Sequence, residues 1–317
     1  MRKKVVIVDY REEGFELEKK AFLSEDTEVF ICITRNEDEL IEFIRDAYVV
    51  IFTFSIISKN VINQLTNCKM LIRYGVGLDN VDIRAASEKG IYVCNTPNYG
   101  TYAVAEHAFA LLVSVNRKLL LFDQQVRNHI WNMESISPVY SLSNKRLGIV
   151  GFGNTGRYIS KMAAAFNMEV VVYDPFISEE TAKEYEVKTS DFEELIHDSD
   201  HISIHAPLTE ETRHLFNNNV FQKMKKTSII INTSRGGLIN QNDLIKALKT
   251  ESIAGAALDV FENEPLDQHS ELLALNNVVL TPHVAWYTEE SIVNLHQEVI
   301  DDVLRVLRGN IPKNVVN

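Results

Sequence analysis

Cysteine, proline and tryptophan are all scarce in this 317-residue chain, which has three, seven and two of them. Cys32, Cys68 and Cys94 are an odd set, far apart, and Cys32 lies in the apolar run Phe30-Ile31-Cys32-Ile33. That pattern excludes a disulfide framework and reads as buried reduced thiols of a cytoplasmic protein. The low proline and glycine content leaves no room for collagen-like or low-complexity architecture. No apolar run approaches the ~18 residues that a membrane helix needs. The basic start Met1-Arg2-Lys3-Lys4 leads into Val5-Val6-Ile7-Val8, but Asp9 ends that run far short of a signal h-region, so no secretory leader is expected. Positive charge is also short. With 32 Lys and Arg against 44 Asp and Glu, the formal charge of -12 argues against binding a phosphate backbone. A soluble protein with neither nucleic acid nor membrane as partner is expected.

What is present is ordinary globular composition, 45% apolar and 24% charged. The length suits two domains of about 150 residues with a cleft between them. Short apolar runs alternate with amphipathic stretches: Val5 to Val8, Val29 to Ile33, Val49 to Phe54, Met70 to Arg73 and Ile91 to Cys94 read as strands. A second series runs from Leu147 to Gly151 through Val170 to Tyr173, His201 to Ile204, Ser228 to Asn232, Gly255 to Leu258 and Val278 to Leu280. This βαβα rhythm predicts an α/β fold of two doubly wound parallel-sheet domains. Between the series, Ala103 to Leu121 reads as a buried connecting helix and Arg127 to Ser143 as an exposed arm. The stretch from Thr288 to Arg308 repeats Ile292, Leu295, Val299 and Val303 at helical spacing, so it should pack one face on a unit already built.

Gly151-Phe152-Gly153-Asn154-Thr155-Gly156 matches G-x-G-x-x-G, a weak signal alone but a strong one here. A strand runs into it, a helix from Arg157 to Phe166 leaves it, and the next strand ends at Asp174, 18 residues past Gly156. Such glycines let backbone N–H groups approach a pyrophosphate at a helix N-terminus, and Asp174 sits where a carboxylate would take a ribose diol. A 2′-phosphate would be repelled there, so NAD is preferred over NADP. His205-Ala206-Pro207-Leu208-Thr209 forms another turn on the carboxyl edge of that sheet. His201 and His205 share even spacing, but no cysteine or carboxylate completes a metal site, and no metal is expected.

Asn232-Thr233-Ser234-Arg235-Gly236-Gly237, Asp259-Val260-Phe261-Glu262-Asn263-Glu264 and Thr281-Pro282-His283 close three strands of one sheet, so Arg235, Glu264 and His283 should converge on one crevice. Reducing a 2-oxo acid needs a fixed cation for the carboxylate and carbonyl, a proton donor near neutral pH and a partner that keeps the donor protonated. Arginine, histidine and glutamate fill those roles in turn.

The spacing of Gly151 to Gly156, Asp174, Arg235, Glu264 and His283 resembles the D-isomer-specific 2-hydroxyacid dehydrogenases across essentially the whole chain. The resemblance implies a Rossmann NAD-binding domain, 99–286, inserted in a flavodoxin-like substrate-binding domain, 1–98 and 287–317. It also implies a homodimer built through residues 103–143. It places Asn154, Thr155, Ala206, Pro207, Thr233, Ser234 and Asp259 along the cofactor. It makes the loop Arg73-Tyr74-Gly75-Val76-Gly77 the substrate loop, its amides holding the substrate carboxylate. Phosphoglycerate dehydrogenases of similar layout carry an arginine near Phe52-Thr53-Phe54, and often a C-terminal regulatory domain. This chain has no arginine there and ends 31 residues after Trp286, which demotes phosphoglycerate as substrate. Formate dehydrogenases replace the glutamate by glutamine, so Glu264 argues against them. The segment His283 to Glu290 is similar to the C-terminal-binding proteins, in which case Trp286 walls the substrate pocket or joins the core. A dimeric NAD-sensing scaffold of that type is the competing expectation to an enzyme.

Overall fold

The computed structural model describes residues 2–8, 14–34 and 36–317. Met1 and Asp9, which bound the amino-terminal apolar run, lie outside them. The chain forms two compact units, Met1–Gly100 with Thr288–Asn317, and Thr101–Tyr287.

In the first unit, β1 (Lys3–Val8), β2 (Thr27–Cys32), β3 (Val49–Phe52), β4 (Met70–Arg73) and β5 (Tyr92–Cys94) form a parallel sheet in the order β2-β1-β3-β4-β5. Helices α1 (Glu16–Phe22), α2 (Glu37–Ile44), α3 (Lys59–Gln64) and α4 (Ile83–Glu88) lie between the strands. Every residue of β3 is buried, as a strand covered on both faces requires. Strand alternation separates two cores. Val5 and Ile7 pack with Phe15, Phe22 and Val299, whereas Val6 and Val8 pack with Leu40, Ile44 and Val61. Each such side chain contributes about 1.5–3 kcal/mol on burial. Phe54 was expected to extend β3, but the strand ends at Phe52 and Phe54 is 62% exposed. The chain turns there because the Thr53 carbonyl accepts from Arg73 Nε and Asn80 Nδ2.

The second unit begins with α5 (Thr101–Asn116) and α6 (Leu119–Arg127). Sequence periodicity suggests one helix to Leu121, but Lys118 adopts a left-handed conformation (φ 50°) and breaks it. The two pieces differ: α5 is half buried, while α6 buries none of its residues. Strands β6 (Arg146–Val150), β7 (Glu169–Tyr173), β8 (Lys188–Thr189), β9 (His201–Ile204), β10 (Ile229–Asn232), β11 (Gly255–Leu258) and β12 (Val278–Leu280) form a second parallel sheet. Its order is β12-β11-β10-β9-β6-β7-β8. The two-residue β8, an exposed edge strand, has no sequence signal. Between strands lie α7 (Asn154–Ala165), α8 (Glu179–Glu184), α9 (Phe192–Asp198), α10 (Asn218–Lys223) and α11 (Gln241–Lys249), and α12 (Glu289–Leu307) returns to the first unit. The strand order reverses between β6 and β9, the switch point where open α/β sheets bind ligands. The glycine loop follows β6 and the His205–Pro207 turn follows β9, so both lie at that point. No helix among the described residues is long and apolar enough to cross a membrane.

Candidate active site

Three adjacent strands, β10, β11 and β12, deliver Arg235, Glu264 and His283 from their carboxyl ends. Glu264 Oε2 lies 2.6 Å from His283 Nδ1, and Glu264 Oε1 accepts the Phe261 N–H at 2.9 Å. Burial pushes the Glu264 carboxyl up, but the His283 ring, the Phe261 amide and the nearby Arg235 charge outweigh it and hold it below its usual value. An ionised carboxylate has only acceptors, so Nδ1 must be the donor in this pair and Nε2 is the ring atom left to exchange a proton.

His283 has φ 54°, a left-handed conformation that costs a branched or bulky residue about 1–3 kcal/mol and persists only where its surroundings enforce it. Asp259 enforces it. Its carbonyl accepts the His283 N–H at 2.8 Å, and its carboxylate accepts from Val284 N, Ala285 N and Thr281 Oγ1 at 2.9, 2.8 and 2.6 Å. The Thr281 hydroxyl proton is thereby spent on Asp259, so His107 Nε2, 3.0 Å from Thr281 Oγ1, must donate to it. Asp259 was expected to line the cofactor. It is fully enclosed, with its carboxylate turned onto the His283 loop. Trp286, expected at the substrate wall, donates its indole N–H to the His283 carbonyl at 3.1 Å. Sequence reasoning missed His107, whose one signal is a lone imidazole on an otherwise apolar helix.

Arg235 is fixed by its own turn. Asn232, fully buried, donates to the Arg235 carbonyl at 2.9 Å and accepts the Ser234 N–H at 3.0 Å, while Ser234 Oγ donates to Ile204 O. The next residue, Gly236, lies so close to the Glu264 loop that a Cβ would stand 1.9 Å from the Phe261 carbonyl carbon.

At the glycine loop, Gly151 has φ 91° and its missing Cβ would meet Ala206 N at 2.6 Å, while that of Gly156 would meet Gly151 O at 2.5 Å. Both glycines answer to the protein's own packing. Gly153 does not: a Cβ there meets nothing within 4 Å. Open space over an exposed glycine at the start of α7 is what a pyrophosphate approaching the helix N-terminus requires. Asp174 accepts from Phe152 N at 2.7 Å and Phe176 N at 2.8 Å, one bond per oxygen, and so retains acceptor capacity for a ribose diol. Thr233 Oγ1 is buried without a partner among the described residues, at the end of β10. Asn154 and Thr155 open α7, and Ala206 and Pro207 line the turn after β9. These residues fit a dinucleotide. His205 Nε2 lies 2.8 Å from Ser203 Oγ, and burial lowers His201 and His205 each to about 4, leaving both neutral at pH 7.

The expected substrate loop follows β4 in the first unit. Arg73 is placed there as a brace: Nε donates to Thr53 O at 2.9 Å, Nη1 bonds Gly77 O, and Asp79 is 3.9 Å away. Two of the loop amides are already committed, Tyr74 N to Phe52 O and Gly75 N to Thr96 Oγ1, both at 2.8 Å.

Residues 109–285 match the family model of the D-isomer specific 2-hydroxyacid dehydrogenase, NAD binding domain. The chain belongs to the D-isomer specific 2-hydroxyacid dehydrogenase family. Membership makes the matched segment an NAD-binding domain and the protein an NAD-dependent oxidoreductase. Within this 2-hydroxyacid dehydrogenase family, the glyoxylate reductase of Thermococcus litoralis is 41% identical over 286 residues, 88% of this chain and 86% of its own. The D-3-phosphoglycerate dehydrogenase of Archaeoglobus fulgidus is 36% identical over 311 residues, 98% of this chain, yet this chain spans only 57% of that relative's length. Among solved structures, D-lactate dehydrogenase from Aquifex aeolicus, complexed with NAD and lactic acid, is similar at a TM-score of 0.89 with 27% identity and 96% coverage of both chains.

Proposed function

We propose that this dehydrogenase reduces a small, unphosphorylated 2-oxo acid to its 2-hydroxy acid with NADH, glyoxylate being the first substrate to test. The Glu264–His283 pair carries this reading, because a carboxylate holds Nδ1 and leaves Nε2 to exchange a proton. Bound NADH supplies the hydride. His283 gives its Nε2 proton to the carbonyl oxygen as that oxygen becomes a hydroxyl, and withdraws it in the reverse direction. Glu264 steadies the imidazolium. Arg235 presents its guanidinium fork to the carbonyl and carboxylate oxygens. In the first unit, the expected substrate loop leaves the Val76 and Gly77 N–H groups for a carboxylate, since Tyr74 N and Gly75 N are already committed.

The loop after β3 supports the substrate class. Thr53–Ser58 carries no cation to meet a phosphate, and its exposed large side chains are Phe54 and Ile56. The glyoxylate reductase relatives also match along most of their own length. The test is turnover of NADH and of NADPH across glyoxylate, pyruvate, hydroxypyruvate and phosphohydroxypyruvate. Glyoxylate reduction with NADH as the better cofactor is expected. Binding of NADH with no oxidation by any member would overturn the enzyme reading, and a preference for the phosphorylated acid would overturn the substrate class.

We also propose a homodimer, built through α6 and the segment after it. Trp131 is 91% exposed and Met133 76%, alongside Leu120, Val126 and Ile130, a density of exposed apolar side chains that supports this reading. Sedimentation velocity at micromolar concentration should give a dimer, and Trp131→Asp should weaken it; a wild-type monomer would sink the idea. Placement in the cytoplasm suits three buried free thiols.

A further inference from the structure

Glu18, on α1, is fully buried. A carboxylate in that position is costly unless it is paired. Its Oε1 accepts the Tyr74 hydroxyl at 2.7 Å and pairs with His296 Nδ1 on α12. Its Oε2 is buried without a partner among the described residues, so Tyr74 and His296 supply its compensation. The rings of Phe15, Tyr74 and His296 close around the group, with centroids 6.1 Å apart for Phe15–Tyr74 and 5.6 Å for Tyr74–His296. Burial pushes the Tyr74 phenol well above its ordinary value and Glu18 adds to the push, so the hydroxyl stays a donor.

Three segments remote in sequence thus meet on the Glu18 carboxyl, and one of them brings Tyr74, the residue that opens the expected substrate loop. Tyr74 is followed by Gly75, itself pinned in both directions to Thr96, and then by the Val76 and Gly77 amides. A core that needed only stability would use apolar residues here, since replacing a buried ion pair by well-packed hydrophobic groups is often neutral or stabilising. What the pair adds is direction. A carboxylate accepts the Tyr74 hydroxyl along one line and fixes where the following backbone points.

We propose that Glu18 and His296 are positioning residues for substrate binding. They hold the Tyr74 hydroxyl and, through it, set the Val76 and Gly77 amides that take the substrate carboxylate. The inference rests on the reading of that loop given above.

The test uses the NADH-loaded enzyme, with oxamate as an unreactive 2-oxo acid analogue and glyoxylate as substrate. Tyr74→Phe removes only the hydroxyl, Glu18→Leu removes the acceptor, and Glu18→Gln keeps an acceptor without the charge. Tyr74→Phe and Glu18→Leu should each raise the oxamate Kd and the glyoxylate KM about tenfold, with kcat changed less than about threefold and the NADH Kd unmoved. Glu18→Gln should recover most of the loss, and the double variant should be no worse than either single one. A folded Tyr74→Phe with wild-type oxamate affinity overturns the proposal, whatever its Tm, and it carries the test should Glu18→Leu not fold. Wild-type enzyme labelled with 15N-valine and 15N-glycine separates the two levels. If the Val76 and Gly77 amide signals ignore oxamate, the loop reading fails and the inference with it. If they respond while the variants bind normally, the inference alone fails.

Discussion

Replacing His283 by alanine is expected to lower kcat by about 10²–10⁴ at every pH, the usual contribution of a positioned acid or base, with NADH affinity nearly intact. The proton source is gone, whereas the glycine loop, on another part of the sheet, is untouched. Arg235→Ala should behave differently, raising KM for the oxo acid and lowering kcat together, because the fork acts on the bound acid and on the polarised carbonyl alike. Glu264→Gln should show itself in the pH profile. Burial pushes the Glu264 carboxyl up, but the His283 ring and the Phe261 amide hold it below its usual value, so it is ionised through the neutral range and accepts from Nδ1 there. Glutamine still accepts from Nδ1 but leaves the ring without a neutralising charge. Reduction should survive at low pH and decline at a lower pH than in the wild type. Steady-state rates of NADH oxidation between pH 5 and 9 check all three. An active His283→Ala removes the core of the mechanism, and a superimposable Glu264→Gln profile dissolves the pair.

The parts of this site that could be read in sequence are those that periodicity and strand ends dictate. Both parallel sheets follow from short apolar runs separated by amphipathic ones, and Arg235, Glu264 and His283 meet because β10, β11 and β12 are neighbours whose carboxyl ends share one edge. The glycine fingerprint was legible because its strand and helix flank it. What sequence could not supply was the direction of individual polar groups. Asp259, expected along the cofactor, turns its carboxylate onto the Val284 and Ala285 amides, a direction that nothing in the sequence announces. The sequence likewise does not say that the Arg73 guanidinium lies on the Thr53 and Gly77 carbonyls. The break at Lys118 has no local signal, since lysine rarely adopts positive φ and nothing in its type announces it. His296 and Glu18 are 278 residues apart, a pairing invisible without the fold.

Two glycine-to-alanine changes separate folding from cofactor binding. At Gly236 the new Cβ would stand 1.9 Å from both the carbon and the oxygen of the Phe261 carbonyl and 2.5 Å from Glu262 N. The obstacle is backbone and cannot swing aside. Phe261 N is bonded to Glu264, and the Glu262 carboxylate is tied to His214 at 2.5 Å and to the Gln241 amide at 2.9 Å. Either the turn bearing Arg235 or the loop bearing Glu264 must shift. Overpacking against fixed backbone should cost about 3 kcal/mol or more. For a unit of this size that is a fall in Tm of roughly 6–12 °C, with kcat/KM lost in parallel. At Gly153 the same methyl group meets nothing within 4 Å, and φ of -70° suits alanine, so Tm should not move. NADH should nevertheless bind at least ~10-fold more weakly, a difference of about 1.4 kcal/mol, because the methyl group occupies the space left for the pyrophosphate. Calorimetric melting and fluorescence titration with NADH read the two effects independently. A Gly153→Ala protein with wild-type NADH affinity would mean that the open space above the loop serves something other than the dinucleotide. A Gly236→Ala protein that melts like the wild type would mean that the Arg235 turn and the Glu264 loop are not pressed together as the geometry requires.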